Sequence, residues 1–299
     1  MATILAATRR ICGGDPALKA DEGGSLSDHQ AAAPLEEVAA RLRRRTLEMI
    51  SAAGAGHPGS SLSVIEILTA LYYDVLRWDP AAPDAPDRDR FVLSKGHAAP
   101  ALYAVLLDTG VVDAAWADSL RTFRSPLQGH PDPRFTPGIE FPAGSLAQAL
   151  SASVGLALGL HRAGSPARTF VLVGDGECQE GQVWEAAAFA AHHRLDGLTV
   201  IVDDNRLQHD APTAAIAGAG SLVDRWKACG FETEVVPGHE LDRLTTCLRR
   251  RGDRRPRAVV ARTVKGKGVD FMEDSVDWHS VFDAARLPEA VASLADRAL

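Results

Sequence analysis

Four cysteines, three methionines and three tyrosines in 299 residues are too few for a disulfide framework or a thioether-lined binding surface. Cys12, Cys178, Cys229 and Cys247 form no C-x-x-C pair and no zinc spacing, so a stapled secreted module and a structural zinc site are both excluded. The expectation is reduced thiols, with Cys178 a small buried filler. Basic charge is also in deficit: 32 Lys and Arg against 39 Asp and Glu give a net charge of −7, which offers no footing for a nucleic acid. The one basic block, residues 249–257 (RRRGDRRPR), is expected to be a solvated helix end. No apolar run approaches the ~18 residues that span a bilayer. Arg9 and Arg10 follow a short mixed segment without an apolar core or cleavage site, so a signal peptide is not expected either. A cytoplasmic protein with no membrane partner is the resulting expectation. There is no P-loop, no G-x-G-x-x-G after a strand and no H-E-x-x-H, which removes support for nucleotide hydrolysis and zinc-dependent hydrolysis.

What remains has room for a large buried core. Residues 1–33, rich in Ala, Gly, Asp and Ser and without helical periodicity, are expected to form a flexible N-terminal extension. Residues 34–299 are expected to form one α/β domain. Helices are expected at 35–52, 63–76, 147–162, 180–193, 221–229, 240–250 and 288–299, with residues 54–59 breaking the first. Buried strands are expected at 91–93, 169–173, 198–202, 231–236 and 257–262. Residues 79–89 and 121–143 are Pro- and Gly-bearing connections. The alternation predicts a doubly wound, mostly parallel sheet flanked by helices.

The most informative stretch is GDGECQEGQVWE followed by a helix and then TVIVDDNRL, residues 174–207. It forms a strand–helix–strand unit, so its two strands should be parallel with a right-handed crossover. Asp175 and Asn205 then lie just past the carboxyl ends of neighbouring strands, where open α/β sheets bind ligands. A carboxylate and an amide oxygen beside Gly174 and Gly176 suit Mg²⁺ carrying a diphosphate, because Mg²⁺ takes oxygen ligands and lets phosphate complete its octahedron. An ordinary βα loop with an Asp cap and an Asn turn is the competing reading of the Gly-Asp-Gly alone. Four histidines, His57, His97, His130 and His279, are carried by glycine- or aromatic-bearing loops, and imidazole suits proton transfer and hydrogen bonding to hydroxyls. His192 and His193 are left as structural.

GDG closed by an Asn one βαβ unit later resembles the thiamine-diphosphate motif. The fuller string, together with AGAGHPGSSLS (53–63), LSKGHAAPALYA (93–104), SPLQGHPD (125–132), AGSLAQALSASVGLALG (143–159) and RTVKGKGVDFMEDSVDWHS (262–280), resembles transketolase. The likeness is to the N-terminal, thiamine-diphosphate-binding subunit of the split two-chain type, and it runs from about residue 34 to the C-terminus. The resemblance implies that His57, His97, His130 and His279 contact substrate or move protons. It adds Glu180 and Glu185 as interface glutamates that relay protons between paired sites. For the cofactor it implies His97, Gly144, Leu146, Gly174, Asp175, Gly176, Glu180, Asn205, Val264 and His279. Its metal ligands are Asp175, Asn205 and the carbonyl of Leu207. Lys265 and Lys267 sit in a mobile-looking KGKG loop.

The activity implied is transfer of a two-carbon ketol unit from a ketose, expected to be phosphorylated, to an aldose, with the hard chemistry supplied by thiamine diphosphate and Mg²⁺. The family's activating glutamate comes from a second domain that this sequence lacks, so the chain alone should be inactive. A C-terminal transketolase subunit in an α2β2 assembly is the expected partner. Ala147 and Ala149 stand where the family has glycines. Pro237, Ala211 and Ser280 are further departures near the site, and they point towards a specialised pathway. Two other readings stay open: a subunit of another thiamine-diphosphate enzyme (2-oxoacid dehydrogenase or decarboxylase, or 1-deoxyxylulose-5-phosphate-synthase-like), and a non-catalytic scaffold subunit.

Overall fold

The computed structural model describes residues 33–218 and 220–296, so the expected extension at 1–33 lies, but for Ala33, outside the described residues. Within the unit Pro34–Leu299, five strands form one sheet. They are β1 (Arg90–Leu93), β2 (Thr169–Gly174), β3 (Leu198–Asp204), β4 (Glu232–Pro237) and β5 (Arg257–Arg262), in the order β1-β2-β3-β5-β4. Every neighbouring pair is parallel. The expected fold class is therefore the observed one, and all five carboxyl ends face the same edge.

Both faces of the sheet are covered, as parallel sheets require. Val171, Val173, Val200, Val202, Ala258 and Val260 point into one core with Leu150, Val154, Val183, Ala187 and Trp226. Those partners come from α5 (Gln148–Arg162), α6 (Gly181–His192) and α8 (Leu222–Ala228). The alternate residues Phe170, Leu172, Ile201 and Val259 are equally buried on the opposite side. There, α1 (Leu35–Ala53) packs on α4 (Ala99–Asp108) and on α3 (Ile65–Ala70), and α9 (Leu241–Arg249) packs on α3. The remaining helices are α2 (Pro58–Leu62), α7 (Thr213–Ile216) and α10 (Leu287–Asp296).

Three local expectations are corrected. Helix resumes at Pro58, not 63, because proline is pre-set for a first helical turn; Val64 then interrupts it and Leu71–Val75 closes as a π turn. Strand β3 runs on through Asp203 and Asp204 because both are still paired to β5, and Arg262 forms an ion pair with Asp204. In the basic block Arg249, Arg250, Arg251, Arg254 and Arg255 are exposed, as expected of a solvated helix end, and Arg257 departs from it. Arg257 is fully buried, donating to the carbonyls of Cys247 and Arg250 and to Glu234, while Arg249, Arg250 and Arg251 pair with Asp74, Glu232 and Asp196.

Candidate active site

Asp175 is the first residue beyond β2 and Asn205 the first beyond β3. The Asp175 N–H donates to the Asp203 carbonyl at 3.1 Å, which extends the strand ladder by one rung and fixes the carboxylate at the sheet edge. Asp175, Asn205 and Leu207 line a cavity of about 390 Å³. His57, His97 and His279 line the same cavity, as do Gly144, Leu146, Gly174, Gly176 and Glu180. A larger cavity of about 660 Å³ adjoins it, sharing Asp175, Asn205 and Leu207 and bounded by residues 212–214, 217–218 and 220–222. Three expected site residues lie outside the smaller cavity lining. His130 stands over Gly144, where a Cβ would lie 3.5 Å from the imidazole ring. Glu185 is on the exposed face of α6. Val264 is turned through its N–H to His239 Nε2 at 2.8 Å.

Charge at the cavity floor is unbalanced in a way that specifies a ligand. Asp175 is 4 % exposed and accepts only from neutral groups, the Gly176 N–H at 2.8 Å and the Thr213 hydroxyl at 2.9 Å. Burial, reinforced by Asp203, raises its carboxyl to about 6. Lys265 is also fully buried. Its ammonium meets the Gln208 carbonyl at 3.2 Å and His279 Nδ1 at 2.9 Å, and burial together with Lys95 lowers it to about 8. A buried carboxylate short of a cation and a buried ammonium beside neutral partners fit a metal cation bound to an anionic group. A Cβ at Gly176 would sit 3.1 Å from Gln208 Cβ, a tight approach that Gln208 would have to yield to. The donor set therefore fits Mg²⁺ and a diphosphate. The lysine loop, expected to be mobile, instead holds Lys265 buried behind the lining residues Gln208 and His279.

Beneath the site lies a buried hub that the strand pattern did not reveal. Asp203, 0 % exposed, accepts from Lys95 Nζ, from the Ser63 hydroxyl at 2.7 Å, from Thr263 Oγ1 and from Asn205 Nδ2 at 3.0 Å. Residues following β1, β3 and β5 thereby converge on one carboxylate. The amide nitrogen of Asn205 is committed to Asp203, which leaves its Oδ1 as the free end; that oxygen accepts from the Leu207 N–H at 3.1 Å. Lys95 was visible in the S-K-G-H string but carried no signal of its own.

Rings of His57, His97 and His279 lie 5.3–5.9 Å apart, centroid to centroid. Burial, then Arg121 and His130, lowers His57 to about 4; burial and Lys265 lower His279 to about 3; burial and Lys95 hold His97 well below the ordinary range. At neutral pH these are uncharged imidazoles. Since the Lys265 ammonium donates to His279 Nδ1, the ring proton is on Nε2. A further imidazole missed in the sequence, His209, stacks edge-on to His279 at 4.6 Å and also lines the cavity. Its only signal was proximity to Asn205.

Glu177, also missed, ties three elements together. It accepts from the Ser94 hydroxyl, from the Gly174 N–H at 3.0 Å and from the Ala147 N–H at 2.8 Å. Ala147 is a buried non-glycine residue at φ +69°, a conformation that costs on the order of 1–2 kcal/mol. The hydrogen bond from its N–H to Glu177 holds α5 and the adjacent Leu146 in place despite that strain.

Comparison with known proteins agrees with this geometry. The family model "Transketolase, thiamine diphosphate binding domain" matches residues 35–292. The chain belongs to the transketolase family. It is 40% identical over 249 residues to the 6-deoxy-6-sulfo-D-fructose transketolase subunit SqwG of Clostridium sp. (strain MSTE9), covering 83% of this chain and 90% of that one. It is 38% identical over 266 residues to an apulose-4-phosphate transketolase subunit of Phocaeicola vulgatus, covering 88% and 94%. Against undivided transketolases it spans about two fifths of their length: the Pichia stipitis R525L variant superposes with a TM-score of 0.80 at 26% identity, covering 86% of this chain and 40% of that one. This transketolase-family chain is thus a transferase subunit with the thiamine-diphosphate-binding domain, and its extent matches the N-terminal subunits of split enzymes. No helix among the described residues is long and apolar enough to cross a membrane.

Proposed function

We propose that this chain is the cofactor-holding half of a two-chain transketolase, transferring a two-carbon ketol unit from a ketose to an aldose. The observation that carries this reading is the buried Asp175 carboxylate on one cavity with three neutral imidazoles, backed by the buried Lys265 ammonium, which reaches two lining residues, Gln208 and His279. Asp175, Asn205 Oδ1 and the Leu207 carbonyl would hold Mg²⁺, while Lys265 and the backbone at Gly176 would face the diphosphate. When bound, thiamine diphosphate supplies the nucleophile and electron sink for carbon–carbon cleavage. The chain's own part is to orient that group, to exclude water from the floor of the cavity and to hydrogen-bond substrate oxygens from His57, His97 and His279. His279, with its proton on Nε2, is a donor to an oxygen on which negative charge develops. His130 at the rim, Gly144, Leu146 and Val264 complete the contacts.

Residues 34–299 are read as the cofactor domain and 1–33 as an extension. The relatives of matching length are named for a sulfonated ketose and for a phosphorylated one, which supports a ketose donor bearing an anionic group and a specialised pathway. The partner is read as a C-terminal subunit that provides the activating glutamate in an α2β2 assembly. Glu180 at the cavity and Glu185 on the exposed face of α6, one turn from the 44 % exposed Phe189, suit a subunit contact that links paired sites. A cytoplasmic setting accords with the free thiols of Cys178, Cys229 and Cys247.

The test is to co-purify the chain with the product of a candidate partner gene and assay ketol transfer. Transfer that needs both chains, thiamine diphosphate and Mg²⁺, and that is lost in Asp175→Ala, is the expected result. Turnover of 2-oxoacids without ketose cleavage would move the protein to the decarboxylating class. No cofactor binding in the complex would leave the scaffold reading.

A further inference from the structure

The loop 264–268, which carries Lys265 behind the lining residues Gln208 and His279, is held by Arg43 and His239, with Glu66 joining the two; none of these three lines the cavity. Arg43 on α1 donates through Nε to the Lys267 carbonyl at 3.0 Å. His239, just after β4, accepts the Val264 N–H on Nε2 at 2.8 Å. Between them stands Glu66 of α3, whose Oε1 takes the Arg43 guanidinium and whose Oε2 faces His239 Nδ1 at 2.9 Å. Because Nε2 accepts from a backbone amide, the imidazole proton must sit on Nδ1 and donate to Glu66. Arg43 and Glu66 are 8 % and 7 % exposed, so neither is a surface pair of small consequence. Burial opposes ionisation of Glu66, yet Arg43 and His239 hold it down to about 2.

A carboxylate that merely stapled helices would send its arms to unrelated elements. Here both arms end on the backbone of the same short loop, at either side of Lys265. The loop has little freedom to compensate. Gly266 sits at φ +77°, where a Cβ would lie 2.3 Å from the Met272 carbonyl, and its N–H donates to the Gly59 carbonyl at 2.9 Å.

We propose that Arg43, Glu66 and His239 form a positioning clamp that sets the loop so that the Lys265 ammonium meets the anionic part of the cofactor. This rests on the functional reading above. His239 is the informative position. Glutamine there can accept the Val264 N–H on Oε1 and donate from Nε2 to Glu66; leucine can do neither.

The test uses the full chain in complex with its C-terminal partner. Thiamine diphosphate is titrated with Mg²⁺ by tryptophan fluorescence, and backbone hydrogen exchange is followed in the cofactor-free complex. His239→Leu is expected to weaken cofactor binding at least tenfold and to speed exchange across 264–268. Turnover at saturating cofactor should stay within about twofold of wild type, since the clamp acts on binding. His239→Gln is expected to restore both readouts, and Glu66→Gln to behave as His239→Leu. Unchanged affinity in His239→Leu, or a Gln variant as weak as Leu, would overturn the clamp. A wild-type complex that binds no thiamine diphosphate would overturn the functional reading; the clamp itself would then fall if exchange at 264–268 were the same in His239→Leu as in wild type.

Discussion

Asp175 should make the ligand-free protein less stable than it could be. Its carboxyl titrates at about 6 in the fold against an ordinary 3.8, so the folded state keeps a proton over a window in which the unfolded chain has lost it. Between those values stability falls as pH rises, and above about 6 the full penalty is present. At 1.36 kcal/mol per unit the shift corresponds to about 3 kcal/mol. Asp175→Asn removes that charge and retains a side chain able to accept from Gly176 and to bond Thr213. For a domain of this size, about 2 °C of melting temperature per kcal/mol makes the expected gain about 6 °C at most. The assay is a thermal melt of both proteins at pH 8 and pH 5, with and without thiamine diphosphate and Mg²⁺. The variant should melt higher than wild type at pH 8, gain about half as much at pH 5, and lose the rise that cofactor confers on wild type. A variant that melts below wild type at pH 8 without cofactor, or that keeps the cofactor-dependent rise, refutes the argument.

Asp203→Asn leaves the Lys95 ammonium buried without its counter-charge and should cost about 3–5 kcal/mol in urea unfolding; a loss under about 1 kcal/mol would show the hub to be dispensable. Lys265→Ala should weaken binding of Mg²⁺–pyrophosphate about tenfold or more, from a charge-assisted bond of about 1.5–3 kcal/mol, as read by calorimetry; equal affinity would remove Lys265 from the anion site. In ligand-free protein the imidazole resonances of His57 and His279 should not titrate between about pH 5 and 8, since both groups lie at about 4 or below; a midpoint near the ordinary histidine value of about 6.5 would mean that the cavity is wetter than its burial implies.

The sheet was legible in the sequence because strands covered on both faces must be continuous apolar runs, and TFVLV and LTVIV are short β-branched runs, each with a glycine at one end. Asp175 was legible for the same reason, as the first polar side chain after such a run, and Asn205 through its place at the end of the Asp-Asp-Asn string that follows the next one. Their supporting residues were not. Lys265, His239 and Glu66 matter because a loop after β5 folds back over a turn some 200 residues earlier, and no local pattern encodes that return. Glycines around Lys265 suggested mobility, whereas Gly266 is needed for tight packing against Met272. Arg257 was misread because charge runs on a helix end normally face water; here its guanidinium satisfies carbonyls left open where α9 ends.

Gly59 joins three distant parts of the site through its own backbone, receiving the Gly266 N–H on its carbonyl and giving its N–H to the Trp278 carbonyl. Those partners lie roughly 200 residues further along, so the closure entropy of a very long loop must be overcome before either bond can form. On the ribosome, α1 to α9 and all five strands will have emerged before residues 266–279 do. The pocket is therefore a late product of synthesis: a chain truncated before that segment would hold the sheet's hydrophobic core and present an open, ligandless edge where the finished protein has a closed one.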